Sequence, residues 1–354
     1  MTNVNILFFN IPHLSVGRGG EIWVREVIDF LNRKHFKAKL ITTDCCNQGE
    51  VKVDFEYKVI KLKRKFGLHL YDFNEIEEDI KWADVVYYFN SFIGSQIPLI
   101  LHKKELYKKI IFGHHAKNDW NLTQKIYYSI TNKFLKDFGY HHVLTKYYYD
   151  KLIRKGFKRV FVIPNFIDLE KFRPKEKKSE FTVVSPGAVS VEKGFDTLQV
   201  VANKLRDINI YLTGKGLPKG IILPKNVKYL GYIDDNSKAE LLSSSHVCLL
   251  PTKAETFSIT LLECLATGNL VVTRDLPELR EVSGNIPSVF LARNDQEFID
   301  NILKVKEIYE KDRERFDELS LMSVKRASNF EKNKVLSDFE NKLLEIYNAS
   351  LNLD

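Results

Sequence analysis

The sequence predicts an α/β protein made of two Rossmann-like domains. Its 354 residues exceed what a single compact core commonly holds and suit two domains. Short apolar runs alternate with longer amphipathic runs in the first half, and the alternation restarts after a polar, charged segment. Strands separated by helices form parallel sheets with helices on both faces. Each half is therefore expected to hold one such sheet.

In the first half, a helix is predicted in EIWVREVIDFLNRK, where Ile22, Val27, Ile28 and Leu31 recur at helical spacing. The predicted strands are NILFFN, AKLITT, ADVVYYF, KKIIFG, HHVLT and RVFVIP. The segment FIDLEKFRPKEKKSE is polar and ends in a charge run, so we interpret it as the linker. These features predict a first domain over residues 1–172.

In the second half, the predicted strands are FTVVSPGA, NIYLTGKG, VKYLGY, HVCLLP and NLVVTR. The run ITLLECLATG supplies a helix that Gly268 stops, and long helical patterns extend from residue 296 to about 352. We expect a second domain over residues 173–337, with a last helix over about 338–354 packing back on the first domain. Ligands of open parallel sheets bind beyond the strands' carboxyl ends, which predicts a central cleft between two facing sheets.

Cysteine content and hydropathy favour a cytoplasmic protein. Cys248 and Cys264 lie among apolar residues, where a free thiol behaves as a small hydrophobe. The sequence contains no Cys-x-x-Cys spacing of the kind that binds metal, so we expect no metal site. The first residues, MTNVNILFFN, lack the features of a signal peptide. No run of about 18 apolar residues predicts a transmembrane helix.

The positive charge is concentrated in the first half. Residues 1–172 hold 28 Lys and Arg against 19 Asp and Glu, a balance of +9, whereas the remainder has a balance of −1. Residues 117–159 hold ten basic and three acidic residues, interleaved with Tyr and Phe. Such a stretch suits an anionic membrane surface or a lipid-diphosphate acceptor. It could also bind nucleic acid, which we do not expect, or form core aromatics beneath a solvated lysine face.

The stretch ETFSITLLE places Glu255 just before a predicted helix and Glu263 inside it. The helix is expected to begin near Phe257 or Ser258, with Thr256 or Ser258 as its cap. Unpaired N–H groups at a helix start bind phosphate well, and a carboxylate is the usual acceptor for a ribose diol. The alternative is that Glu255 is a loop charge and Glu263 a surface helix residue.

With these motifs the chain resembles the retaining glycosyltransferases of the GT-B architecture, specifically family four, the phosphatidylinositol mannosyltransferase-like glycosyl transferases group 1. The family's paired glutamates eight residues apart match Glu255 and Glu263, followed by ATGNLVVTR. Five further segments match the family, and they precede the glutamate pair in the family's order along the chain: GGEIWVREVIDFL, VIPNFIDLEKFRP, SPGAVSVEKGFD, TGKG and VKYLGYID. The resemblance extends over nearly the whole chain.

The resemblance implies a role for each matching position. Lys193 would neutralise the donor diphosphate, and Glu255 would lie beside the transferred sugar. The family's histidine next to the reacting sugar matches His114, with His115 as the alternative and a structural role for both also open. The remaining implied donor contacts are Gly19, Gly20, Gly187, Gly214, Ile233, Lys238, Phe257, Ser258, Ile259 and Glu263, the last on the ribose.

Three positions depart from the family pattern. Ala188 stands where the family has Arg, so one of two diphosphate cations is missing, and Arg18 or Arg274 could compensate. Ser258 replaces the common Gly of the Phe-Gly turn, and Phe166 replaces the Gly of the linker signature. Ala188 puts full activity in question, whereas the other two change shape more than chemistry.

The resemblance implies a metal-independent enzyme that transfers a sugar, with retention, from a UDP- or GDP-type nucleotide sugar and needs no further cofactor. The acceptor domain would be the first and the nucleotide-sugar domain the second. The acceptor would be lipid-linked, a growing glycan or another molecule, and the enzyme could be peripheral on the inner face of the cell membrane. The alternative is a non-catalytic protein that binds nucleotide sugar or glycan on the same fold. An epimerase or phosphorylase of this architecture is disfavoured by the paired glutamates.

Overall fold

The computed structural model describes residues 3–17, 19–47, 49–116 and 122–351. Two compact units divide the chain: Met1–Pro164 with Val335–Asp354, and Asn165–Lys334. The first division falls at residues 164/165, upstream of the predicted 172/173. Ile167 explains part of this difference, because its N–H bonds the Phe330 carbonyl (2.9 Å) and its side chain is buried, which anchors the expected linker in the second unit.

The first unit is built on a parallel seven-stranded sheet in the order β3-β2-β1-β6-β7-β8-β9, with a separate antiparallel hairpin of β4 and β5. Strands β1 and β6 are buried almost throughout, as expected of central strands covered on both faces. The strands are β1 (Val4–Ile11), β2 (Phe36–Thr43), β3 (Tyr57–Ile60), β4 (Lys63–Lys65), β5 (Leu68–Leu70), β6 (Val85–Phe89), β7 (Ile110–Gly113), β8 (Tyr140–Val143) and β9 (Val160–Val162).

Of the helices in the first unit, the first is the one predicted from the sequence. In the first of them, Trp23, Val24, Val27, Ile28 and Leu31 are buried against the sheet. The helices are α1 (Gly19–Asn32), α2 (Glu77–Trp82), α3 (Ile97–Leu101), α4 (Lys103–Leu106), α5 (Leu122–Leu135) and α6 (Lys146–Arg154).

The second unit is built on a parallel six-stranded sheet in the order β12-β11-β10-β13-β14-β15. Its strands are β10 (Thr182–Ser185), β11 (Asn209–Leu212), β12 (Val227–Tyr229), β13 (Val247–Leu250), β14 (Leu270–Arg274) and β15 (Val289–Ala292). Its helices are α7 (Phe195–Lys204), α8 (Asp235–Ser244), α9 (Ile259–Ala266), α10 (Pro277–Ser283), α11 (Asp295–Lys311) and α12 (Arg313–Ala327).

The last helix, α13 (Lys332–Leu351), begins in the second unit and continues in the first. Its Phe339 is buried, and the Phe339 ring lies 5.4 Å from that of Trp23 and 5.7 Å from those of Tyr87 and His142. The end of the chain is therefore part of the first unit's core.

The predicted α/β class and both parallel sheets are confirmed, as are the eleven predicted strands and the long C-terminal helices. Strands β3, β4, β5 and β15 were not predicted. One expectation is wrong: Cys248 of β13 and Cys264 of α9 are joined in a disulfide, with Cα atoms 6.1 Å apart. Strand and helix pack face to face there, a proximity that sixteen residues of sequence separation do not reveal. Among the described residues, no helix combines the length and apolar character needed to span a bilayer.

Candidate functional site

A pocket in the second unit opens where the strand order of its sheet reverses. β10 lies next to both β11 and β13, so the connections leaving β10 and β13 turn to opposite sides. Such a switch point is where open parallel sheets bind ligands. The pocket has an empty volume of about 490 Å³ and is lined from Ser185 to Val189 after β10 and from Leu250 to Thr252 after β13.

Glycines bring the turns of this pocket together. Gly187, which lines the pocket, and Gly214 both have left-handed backbones, with φ of 117° and 104°. A Cβ on Gly214 would collide with the Gly187 carbonyl, so only glycine fits. Gly194, just before α7, is held equally close to the Pro251 carbonyl. The segments SPGAVSVEKGFD and TGKG, which carry part of the resemblance, therefore meet at the ends of β10, β11 and β13.

Two predicted catalytic residues meet in the pocket. Lys193 Nζ lies 2.7 Å from Glu255 Oε1, and both side chains line the pocket. The Glu255 side chain is only 13% exposed, whereas that of Lys193 is 39% exposed. The carboxylate is therefore held in place, while the lysine still reaches solvent. A flexible ammonium beside a fixed carboxylate is suited to exchanging one anionic partner for another.

The start of α9 faces the same pocket. Ser258 caps this helix as predicted, because its Oγ accepts a hydrogen bond from the Leu261 N–H (3.3 Å), and Ser258 and Thr260 line the pocket. The helix begins at Ile259, one residue later than Ser258. Ser258 has φ of 76°, a left-handed conformation that explains why glycine suits this position. Phe257 is buried beneath the turn, with its ring 5.6 Å from that of Phe330.

Glu263 forms a second ion pair further along α9. Its Oε1 lies 2.6 Å from Lys238 Nζ, and Lys238 also contacts Asp235 Oδ1 at 3.0 Å. Burial alone lowers the pKa of Lys238, but the charges and hydrogen bonds of Glu263 and Asp235 outweigh it and raise that pKa. Ile233 lies half-buried in the loop between β12 and α8, two residues before Asp235. None of these four residues is among the described residues that line the pocket.

The first unit holds the other predicted site residues. Gly19 and Gly20 are the first residues of α1. His114 follows β7, and its Nε2 lies 3.2 Å from His141 Nδ1, while His141 Nε2 contacts the Leu135 carbonyl at 3.0 Å. Burial, with help from the charges of His142 and Lys155, lowers the pKa of His114 to about 3.

His115 lies on a different network. Its Nε2 is 2.7 Å from the Tyr87 hydroxyl, which in turn lies 2.6 Å from His142 Nδ1. The His115 ring centroid is 4.6 Å from that of Trp23 on α1. Burial lowers the pKa of His115 well below its ordinary value, and the charges of His142 and His114 lower it further. Tyr87 and His142 were not predicted as site residues, since the sequence presents both as ordinary strand residues.

The cations considered as substitutes at Ala188 are placed differently. Arg274 donates to the Thr197 hydroxyl (3.0 Å) and to the carbonyls of Pro251 and Arg293 (3.4 and 3.3 Å), and it is not among the described residues that line the pocket. Arg18 lies outside the described residues. Ala188 itself lines the pocket, so Lys193 is the one cationic side chain in the described part of its lining.

No group of three or more His, Cys, Asp or Glu side chains able to hold a metal ion occurs within the described ranges. The pocket offers charge and hydrogen bonding: its side chains supply one ammonium, one carboxylate and hydroxyls, and the start of α9 supplies backbone N–H groups.

Part of the chain is similar in sequence to known proteins. Residues 180–307 match the family model described as "Glycosyl transferases group 1". A segment of the chain is 29% identical over 136 residues to a phosphatidyl-myo-inositol mannosyltransferase of Mycobacterium tuberculosis, covering 34% of this chain and 36% of that protein. The matched segment thus spans little more than a third of the relative's length.

Solved structures show the same fold over nearly the whole chain. A sucrose-phosphate synthase of Thermosynechococcus elongatus superposes with a TM-score of 0.79 at 13% identity, covering 98% of this chain and 100% of that one. HepE of Anabaena, in complex with UDP and glucose, gives 0.74 at 14% identity, covering 95% and 98%. The predicted resemblance to glycosyl transferases group 1 is confirmed over residues 180–307, and the GT-B fold is confirmed over nearly the whole chain.

Proposed function

We propose that this chain is a retaining, metal-independent glycosyltransferase that moves a sugar from a nucleotide-diphosphate sugar to an acceptor. The observation that carries the proposal is the ion pair of Lys193 and Glu255. It lies near the start of α9, in a pocket at the switch point of the sheet. Helix-start N–H groups and one ammonium suit a diphosphate. The neighbouring carboxylate suits sugar hydroxyls.

In the proposed reaction, the acceptor oxygen bonds to the anomeric carbon on the face from which the diphosphate leaves. The bond between that carbon and the phosphate oxygen breaks, and a phosphate oxygen takes the acceptor's proton. Lys193 leaves Glu255 and stabilises the negative charge that develops on the diphosphate, as do the helix-start N–H groups. Glu255 then hydrogen-bonds the hydroxyls of the transferred sugar.

A covalent intermediate on Glu255 is disfavoured. A carboxylate nucleophile needs a second carboxyl group about 5 Å away as acid and base, and Glu255 is the one carboxylate among the described residues that line the pocket. Retention without such an intermediate is consistent with departure and attack on the same face.

Incubation with UDP- and GDP-sugars tests the proposal by release of nucleotide and formation of product. We expect one donor to be used, with the product keeping the donor's anomeric configuration by NMR. Glu255→Gln should slow transfer strongly and, with a slow donor, leave no glycosyl-protein adduct by mass spectrometry. An adduct on Glu255 or an inverted product would falsify the mechanism, and binding without turnover of any donor would favour the non-catalytic alternative.

For the acceptor, we propose a lipid-linked molecule reached from an anionic membrane surface. The motivation is α5, which has apolar residues on two sides. Tyr128, Thr131 and Leu135 face the core. The opposite side carries an exposed stripe four residues apart, each 54–73% exposed: Leu122, Ile126, Ile130 and Phe134.

Three lysines accompany this stripe. At 3.6 residues per turn, Lys133 falls within the stripe and Lys125 lies between the stripe and the buried face, while Lys136 directly follows the last residue of α5. An apolar face bordered by lysines suits insertion at the headgroup level of an anionic bilayer. The mannosyltransferase relative is named for phosphatidyl-myo-inositol, a lipid, which agrees with this acceptor class.

Co-sedimentation with vesicles of neutral lipid, with and without about 30% anionic lipid, tests the membrane surface. We expect binding to the anionic vesicles, weakened at high salt and by Ile126→Ser with Ile130→Ser. Leu321→Ser is the control, because Leu321 on α12 is an apolar residue that is more exposed (68%) than Ile126 and Ile130 (54% each). Equal binding to neutral vesicles would remove the electrostatic part, and equal losses in both variants would exclude α5.

A further inference from the structure

His115, the second of the two histidines after β7, is part of a hydrogen-bonded chain buried in the first unit. From His115 Nε2 the chain passes through the Tyr87 hydroxyl to His142 Nδ1 (2.7 and 2.6 Å) and ends where His142 Nε2 meets the Ile163 carbonyl at 2.8 Å. Tyr87 and His142 are fully buried. Every member lies within hydrogen-bonding distance of the next.

The carbonyl at the end of the chain sets the direction of every proton. A carbonyl can only accept, so His142 carries its proton on Nε2, and its Nδ1 must accept when the ring is neutral. The Tyr87 hydroxyl therefore donates to His142 and accepts from His115 Nε2–H. His115 is thus fixed with its proton on Nε2 and none on Nδ1. Burial lowers the pKa of His142 to about 4, which keeps that ring neutral near pH 7.

The absence of a side chain at Gly113 leaves room for this arrangement. A Cβ on Gly113, the last residue of β7, would collide with the Tyr87 hydroxyl. The Tyr87 ring can therefore lie between the two histidines only because residue 113 is glycine. On the other side, the His115 ring contacts Trp23, one turn into the helix that begins at Gly19 and Gly20.

His114 is placed differently. Its Nε2 is directed to His141, which is anchored on the Leu135 carbonyl at the end of α5. Of the two adjacent histidines, His115 is the one whose ring packs on α1, the helix whose first residues are predicted to approach the donor phosphates.

We infer that Tyr87 and His142 are positioning residues that hold His115, rather than His114, in one orientation and one tautomer for contact with the bound sugar. The contact with sugar rests on the proposed function, whereas the fixed tautomer of His115 does not. A partner that holds a histidine in one tautomer and orientation can be essential for its function, as the buried carboxylate of the Ser-His-Asp triad is.

Tyr87→Phe removes one hydroxyl and keeps the ring. The neighbouring Tyr88→Phe is its matched control: Tyr88 is equally buried, and its hydroxyl bonds Ser95 Oγ (2.5 Å), but it lies on the opposite face of β6. Tyr87→Phe loses two hydrogen bonds and Tyr88→Phe loses one, and only Tyr87→Phe breaks the chain to His115.

Histidine-selective ¹⁵N NMR reads the tautomer without any substrate, with His115 identified by the signal lost in His115→Gln. We expect a neutral His115 ring with an exchange-protected proton on Nε2 in the wild type and in Tyr88→Phe. Tyr87→Phe should lose that protection. A proton on Nδ1 in the wild type, or an unchanged spectrum in Tyr87→Phe, would overturn the inference.

Kinetics then tests whether the reaction uses this arrangement. Tyr87→Phe should lower kcat by about 10- to 100-fold with a small change in KM for the donor, since misplacing a contacting group by an ångström costs that much. His115→Gln should be impaired more than His114→Gln. If Tyr87→Phe is no slower than Tyr88→Phe, the positioning role is refuted. If the wild type transfers no sugar, the proposed function fails, and the NMR result alone decides whether the chain fixes His115.

Discussion

Replacing Glu263 by alanine should weaken binding of the donor nucleotide through its ribose. The Glu263 carboxylate is 6% exposed and is held by Lys238 at 2.6 Å. In the proposed complex it accepts hydrogen bonds from the ribose diol. Leaving those hydroxyls without an acceptor costs about 1–3 kcal/mol, or about 5- to 150-fold in Kd.

The structure indicates that this substitution leaves the remaining lysine paired. Lys238 keeps Asp235 Oδ1 at 3.0 Å when Glu263 is lost, so it is not left as an isolated buried charge. Asp235→Ala is therefore the control variant, because it removes the other carboxylate from the same lysine. It should change donor affinity less than Glu263→Ala.

Calorimetry with two nucleotides separates ribose recognition from general damage to the site. Glu263→Ala should weaken UDP or GDP, whichever the protein binds, yet bind the 2′,3′-dideoxy analogue as the wild type does, because that ligand has no diol to lose. Equal losses for both nucleotides would refute the ribose assignment, and unchanged affinity for both would remove Glu263 from the site.

Three further predictions follow from the same geometry. Lys193→Ala should lower kcat/KM by more than about a hundredfold, because it removes a preorganised charge-stabilising group; near-normal kinetics would place the diphosphate elsewhere. Ser258→Gly should be more stable to urea than Ser258→Ala by at least about 1 kcal/mol. Glycine relieves the strain of the left-handed backbone, whereas alanine keeps that strain and loses the cap. The reverse order of stability would contradict the φ of 76°. Because His142 titrates near pH 4 when folded and near 6.5 when unfolded, the unfolded chain binds more protons between these values, and stability is lost as pH falls from about 6.5. Urea titrations should therefore show a loss of at least about 2 kcal/mol between pH 7 and 5, because the buried His114, with its pKa lowered to about 3, contributes in the same direction. Equal stability at pH 7 and 5 would refute the buried neutral rings.

The sequence was sufficient for the fold and for the location of the candidate pocket because both depend on local patterns. Apolar periodicity predicts strands and helices, and their alternation predicts parallel sheets whose carboxyl ends carry the ligands. The turns at Gly187 and Lys193 follow one such strand, and Glu255 follows another. Strands β3 to β5 gave no comparable signal, because they are short and β4 is wholly exposed.

What the sequence could not provide is the pairing of side chains across elements. Lys193 and Glu255 lie 62 residues apart, and Lys238 and Glu263 lie 25 apart, yet each pair shares a hydrogen bond. The resemblance assigned all four residues to a ligand but gave no indication that they bind each other. Tyr87 reads as one of five apolar or aromatic residues in a strand, and only the structure shows its hydroxyl between two histidines.

These ion pairs imply that salt affects donor binding and membrane binding differently. Lys193 and Lys238 are each already neutralised by a carboxylate, and residues 173–354 have a balance of only −1, so long-range attraction contributes little to donor binding. Residues 1–172, with +9, would carry the long-range attraction to anionic lipid. Raising ionic strength from about 0.05 to 0.5 M shortens the screening length severalfold. Vesicle binding should therefore fall steeply over this range. The Kd for the nucleotide should change by less than about threefold, because Lys193 exchanges one anionic partner for another at contact distance, where screening is weak. A parallel fall of both affinities would show that the donor is drawn in by the net charge of the protein rather than bound by exchange at Lys193.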